Sequence, residues 1–365
     1  MGLCQLCGKK NRDISSFLGV CKSCIIEKDE ALEHIEKAHE LSRTKFGLPK
    51  KPPKSEGGVR CNICGNECVI GDLDRGYCGL REKEKHFLTY TQDYANLQFY
   101  HDPLPTNCVA DWVCAGGTGT GYPKHAYRKG PEYGYKNLAV FFCACSFNCL
   151  YCQNWHYRIE TKKSIRVSKE TLLEEIDDKT SCICFFGGDP SCQMPFAIAF
   201  SKLALKKSKN RILRICFETN GSMNPALLDE AFELCLRSGG CIKFDLKAYD
   251  KKIHRAITGM DNELTFANFI SVAKRFSLRP EPPPVVASTL VVPGYVEEDE
   301  IAKIAGLIAE INDKIPYAIL AFYPHFYMND LPFVSRDLIM ACFEAAKAQG
   351  LKNVRIGNVH LIKGS

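Results

Sequence analysis

Six short apolar runs, each followed by a polar or glycine-rich turn and then an amphipathic segment, limit most strongly what this chain can fold into from residue 138 onward. They are LAVFFC, CICFFGG, LRICFETNG, CIKFDLKAY, VVASTLVVPG and AILAFYP. Between them lie helical patterns such as PFAIAFSKLALKKS, NPALLDEAFELCLRSG and EEDEIAKIAGLIAEI. Strands alternating with helices build a parallel sheet, so the expected class is α/β, with six βα units in a closed or partly closed barrel. Such sheets gather their sites at the C-terminal strand ends, and every polar motif discussed below falls at one of those ends.

The chain before residue 138 is organised by cysteine. There are 21 in 365 residues, an odd number clustered in short-spaced groups, which speaks for metal sites in a reducing compartment rather than a secreted disulfide framework. Cys4-x2-Cys7 and Cys21-x2-Cys24 have tetrahedral zinc spacing, with iron or a redox pair as the alternatives. A packing helix follows, with Ile25, Leu32, Ile35, Ala38 and Leu41 on its apolar face. LPKKPPKSEGG reads as a linker. Cys61, Cys64, Cys68 and Cys78 suit zinc or a rubredoxin-like iron equally. Cys108 and Cys114 either join an extra cluster with Cys143 or are inert. Cys182, Cys184, Cys216, Cys235, Cys241 and Cys342 read as buried structural thiols in apolar surroundings. The expected units are a zinc-ribbon-like module with its helix (1–47), the linker (48–58), a second cysteine-rich accessory region (59–136), the barrel core (137–345) and a C-terminal strand and tail (346–365).

Cys145-x3-Cys149-x2-Cys152 ends the first barrel strand with three thiolates and no fourth at a matching distance. A cubane cluster takes one thiolate per iron, so three leave one iron open to an exogenous ligand. This spacing resembles that of the radical SAM superfamily, in which S-adenosylmethionine (SAM) binds the open iron of a [4Fe–4S] cluster and is cleaved to a 5′-deoxyadenosyl radical. Tyr151, the aromatic before the last cysteine, fits the same pattern. FFGGDP resembles the superfamily's GGE motif, with Gly187, Gly188 and, in place of the usual Glu, Asp189. CLYCQNW, ETNG and FDLKAYDKKIHRAITG narrow the resemblance to the pyruvate formate-lyase activating enzyme group. That likeness implies SAM contacts from Asn154, Glu218, Asn220 and Lys247, with Asp245 beside Lys247. It also implies a monovalent cation held by Glu218 and Asp245, and a position near the adenosine for His325. The segment from Cys61 through GYCGLRE, and RIGNVH near the end, look closer to archaeal and Memo-associated relatives of that group. The resemblance implies a partial (β/α)6 TIM-like radical SAM barrel behind the small cysteine-rich N-terminal regions.

The implied function is hydrogen abstraction from a protein or peptide, as a glycyl-radical activase or peptide modifier, driven by a reductant such as ferredoxin or flavodoxin. A protein C-methyltransferase is an alternative, although no DxHxxG cobalamin motif is present. An RNA-modifying enzyme or zinc-ribbon RNA-binding protein is another. The first 60 residues mix Lys with many Glu and carry few aromatics for stacking, which disfavours nucleic acid. A multi-cluster electron carrier would leave the strand-end motifs without a purpose. Net charge is a mild +6. No run of about 18 apolar residues suggests a membrane span, and no export signal is read, so the expected location is the cytoplasm.

Overall fold

The computed structural model describes residues 1–84, 87–163 and 165–363. Its centre is an eight-stranded sheet of β1 (Leu97–Pro103), β2 (Lys136–Phe142), β3 (Thr180–Gly187), β4 (Arg214–Thr219), β5 (Ile242–Asp245), β6 (Val285–Val291), β7 (Tyr317–Ala321) and β8 (Val354–Gly357). Neighbours in the sheet follow chain order, and β2 to β8 run parallel. Only β1 is antiparallel, pairing Leu97 with Phe142 and Pro103 with Lys136. The six apolar runs are β2 to β7, and RIGNVH supplies β8. The stretch LQFYHDP, read above as accessory region, is instead the edge strand β1.

Sequence period dictates which side chains face which way. Phe142, Phe185 and Phe217 point outward and stack across adjacent strands, with ring centroids 5.9 and 5.0 Å apart. Phe196 and Phe200 of α3 (Met194–Lys207) cover them. The remaining outer helices are α4 (Pro225–Ser238), α5 (Lys251–Thr258), α6 (Glu263–Ala273), α7 (Glu298–Ile311) and α8 (Arg336–Ala348). Start and stop signals are local: Asn224 Oδ1 accepts the Ala226 N–H ahead of Pro225, and Gly239 closes α4 at φ +84°. The alternate residues Cys184, Cys216, Glu218 and Lys243 face the barrel interior.

The sheet does not close. Segment 104–118 leaves β1 and crosses toward β8, where Asp111 pairs with Arg355. Behind it Glu132 and Arg214 form a buried ion pair at 2.6 Å, with side chains 0% and 2% exposed. The N-terminal module docks on the far side: Ser15 N donates to Tyr295 Oη at 3.0 Å and Ser16 N to Asp330 at 2.7 Å. The helix expected after Cys24 is two helices, Lys22–Glu27 and Ala31–Thr44. Steps of three residues drift around a 3.6-residue helix, so Leu32 and Leu41 fall on opposite flanks and face solvent, while Ala31, Ile35, Ala38 and His39 are buried.

Candidate functional site

A cavity of about 240 Å³ opens at the C-terminal ends of β2 to β7. The loop after β2 brings Cys145, Cys149 and Cys152 to its wall, together with Tyr151 and Asn154. That loop is pinned on both sides. Asn148 N and Leu150 N donate to Thr258 O and Ile257 O at the end of α5, at 2.7 and 3.0 Å. Asn148 Nδ2 donates to His39 Nδ1 at 2.8 Å, so the N-terminal helix helps fix the cysteine loop.

Gly187 and Gly188 line the same cavity, and the backbone packs closely around them. Gly187 sits at φ +111°, and a Cβ on Gly188 would lie 2.2 Å from Ala144 O. Gly188 N donates to Phe142 O at 2.8 Å and Asp189 N to Ala144 O at 2.7 Å. The Asp189 carboxylate accepts from Ser191 N, Thr219 Oγ1 and Asn220 N at 2.7, 3.0 and 2.6 Å. The shorter side chain thus ties the ends of β3 and β4 together. Asn220 Nδ2 reaches Ser146 Oγ at 2.8 Å and Asn154 Nδ2 reaches Gly187 O at 3.3 Å, so all three loops cross-brace.

On the opposite wall Asp245 and Lys247 form an ion pair. Burial works to depress the Lys247 ammonium, but Asp245, Tyr151 and Cys149 outweigh it and hold it well above the usual lysine range. Asp245 Oδ1 is buried with no hydrogen-bond partner among the described residues, an open oxygen suited to a small cation. Glu218 is joined from below by Lys243 Nζ at 2.9 Å, and the Cys108 thiol donates to it at 3.3 Å.

Residues 140–308 match the radical SAM superfamily sequence profile. The chain carries a radical SAM domain. A domain of this superfamily makes the protein an enzyme. It is similar to the uncharacterized protein MJ0808 of Methanocaldococcus jannaschii, at 24% identity over 312 residues covering 82% of this chain and 81% of that one. The isethionate sulfite-lyase activating enzyme of Oleidesulfovibrio alaskensis is 29% identical over 142 residues, covering 39% of this chain and 41% of that one, less than half its length. The pyruvate formate-lyase-activating enzyme of Streptococcus mutans is 26% identical over 196 residues, covering 51% and 71%.

The superfamily implies a [4Fe–4S] cluster and SAM, and three cysteines on the cavity wall suit the cluster. Its three cysteines stand beside a residue that sequence reasoning missed. Arg158 is 0% exposed, donates to Asn148 Oδ1, and leaves Nε and Nη2 without partners. Among the described residues no carboxylate pairs with it. Its acidic neighbours are Tyr157, Cys152, Cys145 and Cys149. A buried guanidinium without a carboxylate calls for anionic charge close by, which metal-bound thiolates supply. A hint of Arg158 exists in the sequence only as a basic residue six places beyond Cys152.

His325 does not line the cavity; its ring centroid lies 5.9 Å from that of Tyr323, which does. Cys4, Cys7, Cys21 and Cys24 converge with all sulfurs within 4.8 Å, and the Cys7–Cys21 separation of 3.8 Å matches the edge of a tetrahedral metal–thiolate site, about 3.8 Å for 2.3 Å bonds. The interior thiols correct the expectation of apolar surroundings. Cys182, Cys184, Cys216 and Cys241 share a second cavity with Cys108, Cys114, Glu218 and Lys243, while Cys235 and Cys342 are core residues as expected. Cys143 stands apart from Cys108 and Cys114, against Phe141 O and Glu160. No helix among the described residues is long and apolar enough to cross a membrane.

Proposed function

We propose that this enzyme cleaves SAM reductively and uses the resulting radical to take a hydrogen atom from a protein or peptide. The observation that carries the reading is the meeting of Cys145, Cys149 and Cys152 with Gly187, Glu218, Asp245 and Lys247 around one cavity at the strand ends. Cys145, Cys149 and Cys152 would hold a [4Fe–4S] cluster with one iron free of protein sulfur, which when reduced would supply the electron for cleavage of SAM to methionine and a 5′-deoxyadenosyl radical.

The remaining work belongs to this chain. Lys247 offers an ammonium to the carboxylate of SAM, a charge-assisted contact contributing roughly 1.5–3 kcal/mol. Asp245 Oδ1 and Glu218 offer carboxylate oxygen to a monovalent cation on the same wall. Tyr151, Phe186 and Leu290 line the cavity and limit water there. A protein or peptide substrate is supported by the activating enzymes among the relatives, and a low-potential ferredoxin or flavodoxin would supply the electron. Under dithionite the wild-type enzyme should release 5′-deoxyadenosine from SAM and Cys149→Ala should release none. Full release by that variant would end the reading.

A further inference from the structure

Lys247 reaches the cavity from the turn 246–250, which joins β5 to α5. The near side of that turn is tied to the neighbouring strand. Leu246 N donates to Ser288 O at 2.8 Å, and Thr289 Oγ1 donates to Leu246 O at 2.8 Å. Beyond Lys247 two side chains from other units take over. Asn262, the residue before α6, donates its Nδ2 to Ala248 O at 3.0 Å and to Tyr249 O at 2.8 Å. Glu300, in the first turn of α7, accepts from Tyr249 N at 2.6 Å and from Asp250 N at 2.9 Å, both on Oε2.

Glu300 stands in an unfavourable place for a carboxylate. Its side chain is 0% exposed, and among the described residues its only ion-pair partner is Lys303, half exposed and 3.8 Å away. Oε1 has no hydrogen-bond partner. Burial pushes the carboxyl above its ordinary range, and the Asp250 and Tyr249 N–H groups are the strongest influences opposing it. A helix dipole favours acids in the first turn, but Glu298 and Asp299 already supply them from the surface. Burying a third acid without a close cation is costly, and what this one holds is the turn that carries Lys247. Lysine has a long flexible stem, so a fixed backbone spares SAM binding the cost of ordering it.

We propose that Glu300 and Asn262 are positioning residues for SAM binding: they clamp the turn after β5 so that the Lys247 ammonium stays on the cavity wall. The proposal rests on the role given to Lys247 above. That role sets its ceiling, because a charge-assisted contact corresponds to roughly 10- to 150-fold in affinity. The test is a double-mutant cycle on the cluster-loaded enzyme, read as the SAM dissociation constant by anaerobic equilibrium dialysis. Glu300→Met, similar in length and without an acceptor, should weaken SAM binding roughly tenfold at wild-type iron content. In a Lys247→Ala background the same substitution should change the constant by less than about twofold. Glu300→Gln, which keeps an acceptor oxygen, should recover most of the loss. An unchanged constant in folded, loaded Glu300→Met protein overturns the proposal, and so does an equal loss that persists without Lys247. Asn262→Ala leaves the carboxylate in place and enters the same cycle with the same expectations, so a Glu300→Met chain that fails to fold does not shield the proposal. Wild-type enzyme that binds no SAM, or Lys247→Ala protein that binds it as tightly as wild type, would sink the proposed role of the cavity. Binding that depends on Lys247 but on neither Glu300 nor Asn262 would sink this proposal alone.

Discussion

Arg158 gives a prediction whose sign depends on whether the cluster is present. In the cluster-free protein burial pushes the Cys149 thiol up to about 12, so the triad is neutral at pH 7.5 and the guanidinium is a buried charge without a counter-charge. Arg158→Met keeps the length, removes that charge, and should be neutral or stabilising in cluster-free protein. In the loaded protein the same change removes the positive neighbour of the metal–thiolate centre. A unit charge about 6 Å away at an effective dielectric of about 20 contributes roughly 3 kcal/mol, or ~100 mV for one electron. The reduced cluster carries the extra negative charge, so the midpoint potential should fall by about that amount. Arg158→Lys should recover most of it. The assay is an anaerobic redox titration followed by EPR, paired with thermal melts of the loaded and cluster-free forms. A potential that stays put or rises, or a cluster-free Arg158→Met that melts well below wild type, would refute the reasoning.

Glu132→Ala strips the partner from buried Arg214 and should cost about 3–5 kcal/mol, read as a lowered denaturation midpoint; a loss below about 1 kcal/mol would mean the pair is dispensable. Gly188→Ala drives a methyl against Ala144 O, a contact of 2.2 Å before relaxation. It should weaken SAM binding at least tenfold, about 1.4 kcal/mol, and an unchanged dissociation constant would remove the turn from the site. His39 is buried against Asn148 and Ala256 O, and burial depresses its pKa to about 4. Unfolded histidine titrates near 6.5, so the unfolded chain takes up the proton first. Stability is therefore complete above about pH 6.5 and falls by up to roughly 3 kcal/mol as pH approaches 4. His39→Gln should flatten that slope in denaturant melts between pH 7 and 4, and a slope identical to wild type would exclude His39 as its source.

The parallel strands were legible because both their faces are buried, which writes continuous apolar runs such as LAVFF and VVASTLVV into the chain. β1 was hidden for the opposite reason: LQFYHDP lies at an edge, where Gln98, Tyr100 and Pro103 are exposed and the pattern carries little contrast. The cavity was legible because local motifs sit at strand ends, and topology carries strand ends to one place. Arg158 left no mark because nothing in its local sequence says that it folds back, buried, onto the thiols of its own loop. Helical periodicity misled at Leu32 and Leu41 because a repeat of three drifts around a 3.6-residue helix and sets positions nine apart on opposite sides. The interior cysteines misled because the apolar neighbours in sequence, Phe185 and Phe217, point to the other face of the sheet.

The most direct test of the account is EPR of the anaerobically purified, dithionite-reduced enzyme with and without SAM, with the Cys145→Ala/Cys149→Ala/Cys152→Ala protein as the blank. The account predicts a [4Fe–4S] signal from the triad whose g-values shift when SAM is added, because one iron has no protein sulfur and takes the ligand. A signal indifferent to saturating SAM, or a triad that holds zinc and no iron, would contradict it.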